Sequence, residues 1–325
     1  MIKLINQLVS GTYVNIIPRW KLQSKPIPEA QHSIIIGILA HLGPIFLFCL
    51  LTTIYHFDPL ITLLSFTVVS ILMLIQFLLA EWIAPSVALN ISNRQDILSG
   101  LVFVFLTGVG VGSIVVSLTW YGSQCLLPKY PIPTWISIWV TVALADFSYY
   151  FIHRFFNHSR SARYIFRRFR RSHGMHHSVK ALDFLRGNKS SLMDTAVASF
   201  QVPTAVIGSL LGLNLTQVLV SYALLMLLQG THHVNFTFNI GWLRYLFVDN
   251  HNHKLHHCPR GHLVNYGAVF SLWDRLFGTF YENWDLSSNY MEKNRIALPI
   301  QPKRSVNISS SRSLGPSACP RDPEM

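Results

Sequence analysis

The sequence contains few charged residues. Only 12% of its 325 residues are Asp, Glu, Lys or Arg, whereas 50% are apolar, and the mean hydropathy is +0.35. A soluble domain carries about 25% charged residues, so this composition argues against a soluble globule. It indicates a polytopic membrane protein.

Cysteine is scarce and scattered as well. The cysteines form no C-x-x-C pair, which argues against a disulfide framework, a zinc knuckle and a Cys-ligated iron–sulfur cluster. The chain also lacks a Gly-rich dinucleotide fingerprint and an evident haem-ligand pair, so any redox chemistry would need external electrons. Cys258 directly follows a histidine and is interpreted as a small apolar neighbour rather than a ligand. The four cysteines are Cys49, Cys125, Cys258 and Cys319.

Long apolar runs predict about six membrane spans. Four runs are each about long enough to cross roughly 30 Å of hydrocarbon at about 1.5 Å per residue. A longer run, Ser191–Gly230, predicts a fifth and a sixth span, broken near Gly212. No cleavable signal peptide is expected, because the first run follows about thirty residues of mixed composition. The four runs are Ser33–Tyr55, Pro59–Ala84, Leu98–Tyr121 and Pro133–Ile152.

The basic residues predict the orientation in the membrane. The segment His153–Ser190 holds ten Lys or Arg against the single acid Asp183, and such segments stay cytoplasmic. With four spans before it, both termini and every histidine cluster are expected on the cytoplasmic side. Lys and Arg beside spans attract anionic headgroups, which explains the net charge of +12 without nucleic-acid binding.

Nine histidines follow the apolar runs in short clusters. Two H-x-x-H-H units place their rings at i, i+3 and i+4, on one helical face and within reach of a shared ion. Imidazole suits Zn, Cu, Fe and Ni, so two units suggest two metals. The alternative is a set of solvated histidines at the bilayer edge. The candidate ligands are His153 and His158; His173, His176 and His177; His233; and His253, His256 and His257.

The fourth predicted span presents a polar stripe to this site. Asp146, Tyr149, Tyr150 and His153 share one helical face. Asp146 is predicted to accept from a metal-bound imidazole, with a helix-packing hydrogen bond as the alternative, and Tyr150 is a second candidate supporting residue. His158 lies about 140° from His153 on an ideal helix. Both rings can therefore reach one centre only if the helix loosens or ends before His158.

These motifs resemble the fatty acid hydroxylase/sterol desaturase superfamily of integral-membrane non-haem di-iron enzymes. The resemblance covers about Asp146–Tyr281, although the first box has four intervening residues where many members have three. The gap of twenty residues between His233 and His253 is similar to the sterol desaturase and alkylglycerol monooxygenase branch and favours His233 over His232 as the ligand. The motifs are D146-x-x-YY-x-x-HR-x-x-x-H158, H173-x-x-HHS, H233, H253-x-x-HH, N265-YG and W273-DR-x-FGT.

The resemblance implies a fold, an activity and partners. It implies an all-α polytopic membrane protein whose box histidines hold two iron ions in a cytoplasmic cap. The activity implied is O2-dependent hydroxylation or desaturation of a sterol, fatty acyl or alkyl lipid. Electrons would come from a separate reductase, ferredoxin or cytochrome b5-like protein. A membrane metal transporter and a catalytically silent relative remain as alternatives.

One membrane-embedded domain is expected. It covers residues 33–300, with its motif core at 146–281, after a cytoplasmic arm at 1–32. The tail at 301–325 is rich in Ser and Pro, lacks apolar periodicity and is predicted to be disordered.

Overall fold

The fold is known from a computed structural model that describes residues 30–83, 100–158, 167–178, 183–191, 193–194, 199–235, 240–257 and 264–281. Within these ranges the chain is mostly helical, and its β structure is an isolated bridge between Phe247 and Phe270. The predicted helical class is therefore confirmed. Residues 1–29 of the predicted arm, Cys258 and the predicted tail at 301–325 lie outside the described residues.

The helices fall into two groups, apolar helices that form the bundle and helices that are polar or very short. The apolar helices are α1 (Ala30–Ile54), α2 (Pro59–Ile83), α3 (Gly112–Leu126), α4 (Thr134–Phe151), α7 (Gln201–Leu210) and α8 (Leu215–Gln229). The π-helical segments π1 (Phe103–Val111) and π2 (Ile152–Asn157) adjoin α3 and α4. The polar or very short helices are α5 (Arg167–His177), α6 (Phe184–Gly187), a 3-10 turn (Gly241–Tyr245), α9 (Asn250–His256) and α10 (Leu272–Leu276).

Three helical stretches are long and apolar enough to cross a membrane: Gly37–Ile54, Pro59–Glu81 and Thr134–Asn157. Large apolar side chains such as Phe46 (70% exposed) and Leu60 (66% exposed) cover their outer faces. Exposed apolar surface on this scale would be costly in water and is the normal surface of a protein in lipid. The chain is thus an integral membrane protein.

Helix α8 forms the centre of the bundle. Its residues are apolar on all sides, as expected of a helix surrounded by others, and it packs against α1, α2, α3 and α4. Val218, Tyr222 and Leu224 are fully buried. Asn214 and Gln217 form a reciprocal capping box that starts the helix.

Helices α7 and α8 form a hairpin, but two further spans are not confirmed. The helices have 10 and 15 residues, about 15 and 22 Å at 1.5 Å per residue, which is shorter than the roughly 30 Å of hydrocarbon. The turn contains Gly212 at φ +74° and lies against Pro131 in the α3–α4 connection. The far end of α8 leads directly to His232 and His233. The α7–α8 hairpin therefore has its turn beside the α3–α4 connection and the end of α8 beside the histidine clusters.

Candidate metal centre

The nine predicted histidines converge into two adjacent clusters. In each cluster the candidate ligand atoms all lie within 4.8 Å of one another. We call the first the pentahistidine cluster: His153, His158, His173, His177 and His256. We call the second the tetrahistidine cluster: His176, His233, His253 and His257.

Each H-x-x-H-H unit is divided between the clusters, whereas the spacing predicted that all three rings would share one ion. His173 and His177, four residues apart on α5, enter the pentahistidine cluster, while His176 enters the other. In the second unit His256 crosses over to the pentahistidine cluster, and its Nε2 lies 3.2 Å from that of His177. The reason is geometric, because residues i and i+4 are stacked on a helix while i+3 is rotated to one side.

A π-helical segment brings His158 to His153. The α4 helix widens into π2 over Ile152–Asn157, directly before His158. A π turn is closed between residues i and i+5, so residues five apart become neighbours. The two Nε2 atoms are 3.1 Å apart. The loosening that the sequence spacing required is present.

Four of the rings are fixed by hydrogen bonds from Nδ1. His153 donates to the carbonyl of Tyr266 (2.7 Å), and His256 donates to that of Val264 (2.7 Å). His176 donates to the carbonyl of Lys189 (3.2 Å), and His173 to a carboxylate oxygen of Asp194 (3.3 Å). A carbonyl can only accept, so Nδ1 carries the proton and Nε2 presents its lone pair to the cluster.

These lone pairs fit a metal ion better than they fit one another. The Nε2 atoms of His153 and His173 are 2.9 Å apart, yet with both Nδ1 atoms protonated neither Nε2 can donate to the other. Neighbouring Nε2 atoms in the two clusters lie 2.9–3.2 Å apart. Two nitrogens bound at right angles to one ion, with bonds of about 2.1 Å, would be about 3.0 Å apart. Both clusters therefore could hold a metal ion.

The surroundings of five of these imidazoles favour the neutral form, which is the form that binds metal. Burial and the neighbouring histidines lower the pKa values of His177, His233, His253 and His257 well below the usual range. Burial lowers the pKa of His176 to about 4. Because the charged form is disfavoured in each case, the lone pairs stay available at neutral pH.

Asp194, which sequence reasoning missed, is the carboxylate that orients a ring. It accepts from His173 and from Ser190 Oγ (2.8 Å). Burial raises the pKa of Asp194, but the hydrogen bonds and nearby histidines outweigh that effect and hold it below its usual range. The signal in the sequence was an acid inside an apolar run, which is rarely without a role.

Asp146 has a different role from the predicted one. Its two oxygens accept from the backbone N–H groups of Val269 and Phe270 (both 2.9 Å), and one also accepts from Trp273 Nε1 (2.9 Å). The carboxylate is thus occupied by residues 264–281, which we call the closing segment, and not by an imidazole. It supports the site indirectly, because Tyr266 in the same segment accepts from His153.

Tyr150 also serves this closing segment. Its hydroxyl hydrogen-bonds with Thr279 Oγ1 (2.9 Å) and accepts from Arg154 (2.7 Å). Asp274 continues the network by accepting from the backbone N–H groups of Tyr266 and Gly267 (2.8 Å each). The second aromatic stripe residue therefore braces the loop that positions His153.

Glu81, at the end of α2, fixes the tetrahistidine side. Its Oε1 accepts from the backbone N–H groups of Phe184 (2.8 Å) and Asn235 (2.6 Å), the second of which lies two residues beyond His233. Gly187 is packed so closely on His233 that an added Cβ would lie 2.2 Å from its side chain. A glycine is therefore required beside this ring.

His232 lies outside both clusters. Its ring stacks on that of His253 at 4.8 Å and lines a cavity of about 150 Å³ beside the clusters. His173, His176, His233 and His253 line the same cavity. Its other wall is mostly apolar and includes Phe66, Met73, Val109, Met226 and Leu227. The clusters thus border a cavity within the helical bundle.

Comparison with known proteins agrees with this geometry. The sequence profile of the family described as fatty acid hydroxylase matches residues 138–279, which include all nine histidines of the clusters. An alkylglycerol monooxygenase of Xenopus tropicalis is 25% identical over 229 residues, which cover 66% of this chain and 46% of that protein. The chain thus spans about half the length of the relative it matches. No solved structure matches.

Fold and site define an integral membrane protein whose two histidine clusters could each hold a metal ion. The profile match over residues 138–279 and the relative confirm the resemblance to the fatty acid hydroxylase/sterol desaturase superfamily that the sequence motifs indicated.

Proposed function

We propose that the protein is a membrane-bound di-iron oxygenase that uses O2 and external electrons to hydroxylate or desaturate a lipid. The observation that carries the proposal is the convergence of nine imidazoles, five in one cluster and four in the other, beside an apolar cavity. The pentahistidine and tetrahistidine clusters would each hold one iron ion. Bound iron would supply the redox chemistry that makes dioxygen reactive toward an unactivated C–H bond.

The chain itself would bind and orient the substrate and keep water away. Phe66, Met73 and Leu227 give the cavity an apolar wall suited to an alkyl or acyl chain. Asp194 and the Tyr266 carbonyl hold two imidazoles in the tautomer that points Nε2 into the cluster. Buried histidines in the neutral form avoid a proton competing for the lone pairs.

The proposed substrate is a lipid with an alkyl or acyl chain, and hydroxylation is favoured by the family description and by the relative's name. Among such lipids an alkylglycerol is the first to test. We propose a cytoplasmic site and a separate reductase, ferredoxin or cytochrome b5-like electron donor. The exposed arginines at the start of α5, Arg167, Arg168, Arg170 and Arg171, would form a basic face for either headgroups or that donor.

Comparative lipidomics tests the proposal. Cells expressing the protein are compared with cells expressing His176→Ala, each grown with and without oxygen. We expect a hydroxylated or desaturated lipid only with the unaltered protein and only with oxygen. If no lipid changes and cellular metal uptake falls instead, the protein is a metal transporter and the oxygenase proposal is wrong.

A further inference from the structure

We propose that Tyr149 contacts the substrate and recognises a hydroxyl group of a neutral lipid in the cavity beside the clusters. This inference rests on the proposed function and specifies its substrate class. Tyr149 and Tyr150 are the aromatic residues of the Asp146–His153 stripe. Tyr150 hydrogen-bonds with the closing segment, and the proposal assigns a role to Tyr149.

Tyr149 is placed between the clusters and the cavity. It lies one turn before His153 on α4, with its ring 5.1 Å from that of His153 and 4.7 Å from that of Phe200. It lines the cavity together with His173 and is only partly buried. Within the described part of the chain its hydroxyl has no hydrogen-bond partner. The ring is held from two sides while the hydroxyl stays available to a ligand.

The neighbouring phenol provides the contrast. Tyr150 is fully buried, and its hydroxyl is engaged by Thr279 and Arg154. Adjacent residues on a helix point about 100° apart, so the two hydroxyls serve different surroundings. Because Tyr150 braces the site, the matched control for the loss of one phenolic hydroxyl is Tyr121, which is exposed on α3 and does not line the cavity.

The lining of the cavity defines the class of ligand. Among the described residues that line it there is no Lys or Arg, so an anionic headgroup would lack a compensating charge. Its acid, Asp194, is engaged by His173 and Ser190. Gln201, which follows Phe200 and is 1% exposed, lines the cavity with an Oε1 that lacks a protein partner. Neutral hydrogen-bonding groups beside an apolar wall suit a hydroxyl on an apolar body, as in a glycerol ether or a sterol.

The experiment measures lipid binding to the full chain in nanodiscs, using two matched pairs of probes. One pair is hexadecyl glyceryl ether and its form with both hydroxyls methylated; the other is cholesterol and its methyl ether. We expect the unaltered protein to prefer the free hydroxyl in at least one pair. Tyr149→Phe should weaken binding of that probe by about 3- to 10-fold and leave its methylated partner unchanged. Tyr121→Phe, on α3 and outside the cavity lining, should leave the preference as it is.

The pair that responds identifies the lipid class. The inference is overturned if the unaltered protein binds both members of each pair equally, a comparison that needs no variant to fold. It is also overturned if Tyr149→Phe leaves the preference intact or weakens both members alike, since the latter indicates a structural role. Failure of the proposed function is a separate result, because it would appear as the absence of any oxygen-dependent product while binding selectivity persists.

Discussion

At the scale of single residues, the adjacent residues His232 and His233 differ in whether their rings can reach a metal ion. His233 Nε2 lies 2.9 Å from His253 Nε2 and 3.1 Å from His257 Nε2, inside the tetrahistidine cluster. His232 is also buried, but its ring stacks on that of His253 outside the cluster and lines the cavity. Neighbouring side chains on a tight turn diverge, so only one of the pair can reach the cluster.

A pair of substitutions tests this difference. We expect His233→Gln to lose about half of the bound metal, because one of four imidazoles leaves the tetrahistidine cluster. His232→Gln should keep the full amount. The measurement is metal content per chain by mass spectrometry of the purified protein. Equal losses in the two variants would contradict the assignment of ligands.

Asp194 provides the second test at this scale. Asp194→Asn replaces the carboxylate that accepts from His173 Nδ1 with a weaker and reorientable partner. We expect affinity for metal at the pentahistidine cluster to fall about 10- to 100-fold, as is usual when a partner of a metal-bound histidine is removed. Metal retained during titration with a chelator measures this.

A matched control shows whether the loss of metal affinity is specific to Asp194 or follows from replacing any aspartate by asparagine. Asp58 caps the start of α2 by accepting from the Ile61 N–H (2.9 Å), far along the chain from either cluster. Asn caps helices as well as Asp does, so Asp58→Asn should retain metal like the unaltered protein. A chelator profile of Asp194→Asn that matches this control would show that Asp194 does not orient His173.

At the scale of elements, the sequence predicted that the nine histidines converge but not how they are divided between two clusters. The H-x-x-H-H spacing placed each set of rings near one another, and the separation of the boxes along the chain implied convergence in space. The division into five and four depends on how α5 and α9 face each other. That relation is tertiary, because it is fixed by contacts such as the His176–Lys189 carbonyl and Glu81–Asn235 hydrogen bonds. No local pattern contains it.

The π2 segment is the element that local spacing came nearest to predicting. Two residues that are five positions apart, such as His153 and His158, do not share one face of an α-helix. The π turn over Ile152–Asn157 is wider and brings the two rings together. Four residues lie between His153 and His158, one more than in many members of the superfamily that the motifs resemble. A π turn is the expected way for a helix to absorb one additional residue without moving its ends.

Changing the length of π2 tests that explanation. Deletion of Phe155 should restore four-residue spacing and an ordinary α turn, keeping His158 beside His153 and retaining metal. Insertion of one Ala after Phe155 should rotate His158 away by about 100° and weaken binding at the pentahistidine cluster. Metal content and thermal stability of both variants are measured together. Loss of metal in the deletion with retention in the insertion would contradict the proposed role of the π turn.

At the scale of the whole molecule, composition predicted the environment more firmly than the number of spans. Long runs of Leu, Ile, Val and Phe must be buried in lipid or in protein. The stretches in α1, α2 and α4 with π2 are long enough to cross the hydrocarbon layer of a membrane. The residues of the last two predicted spans form α7 and α8, which are shorter, and α8 packs against α1, α2, α3, α4 and α7. A buried helix and a lipid-facing one have the same apolar composition, so sequence alone could not distinguish them.

Labelling of single cysteines tests how the molecule sits across the membrane. Cys125 is exposed at the end of α3, next to the connection that starts α4, whereas Ser178 is exposed just beyond His177 at the opposite end of α4. The span Thr134–Asn157 between these sites in the chain has 24 residues and is about 36 Å long. In cells whose protein lacks the other three cysteines, an impermeant maleimide should label Cys125 from outside. Ser178→Cys, placed in a chain without Cys125, should react only after permeabilisation, because the basic segment around it is predicted to lie on the cytoplasmic side. Labelling of both positions from the same side would show that α4 does not cross the bilayer, and labelling in the reverse order would place the histidine clusters on the outer face.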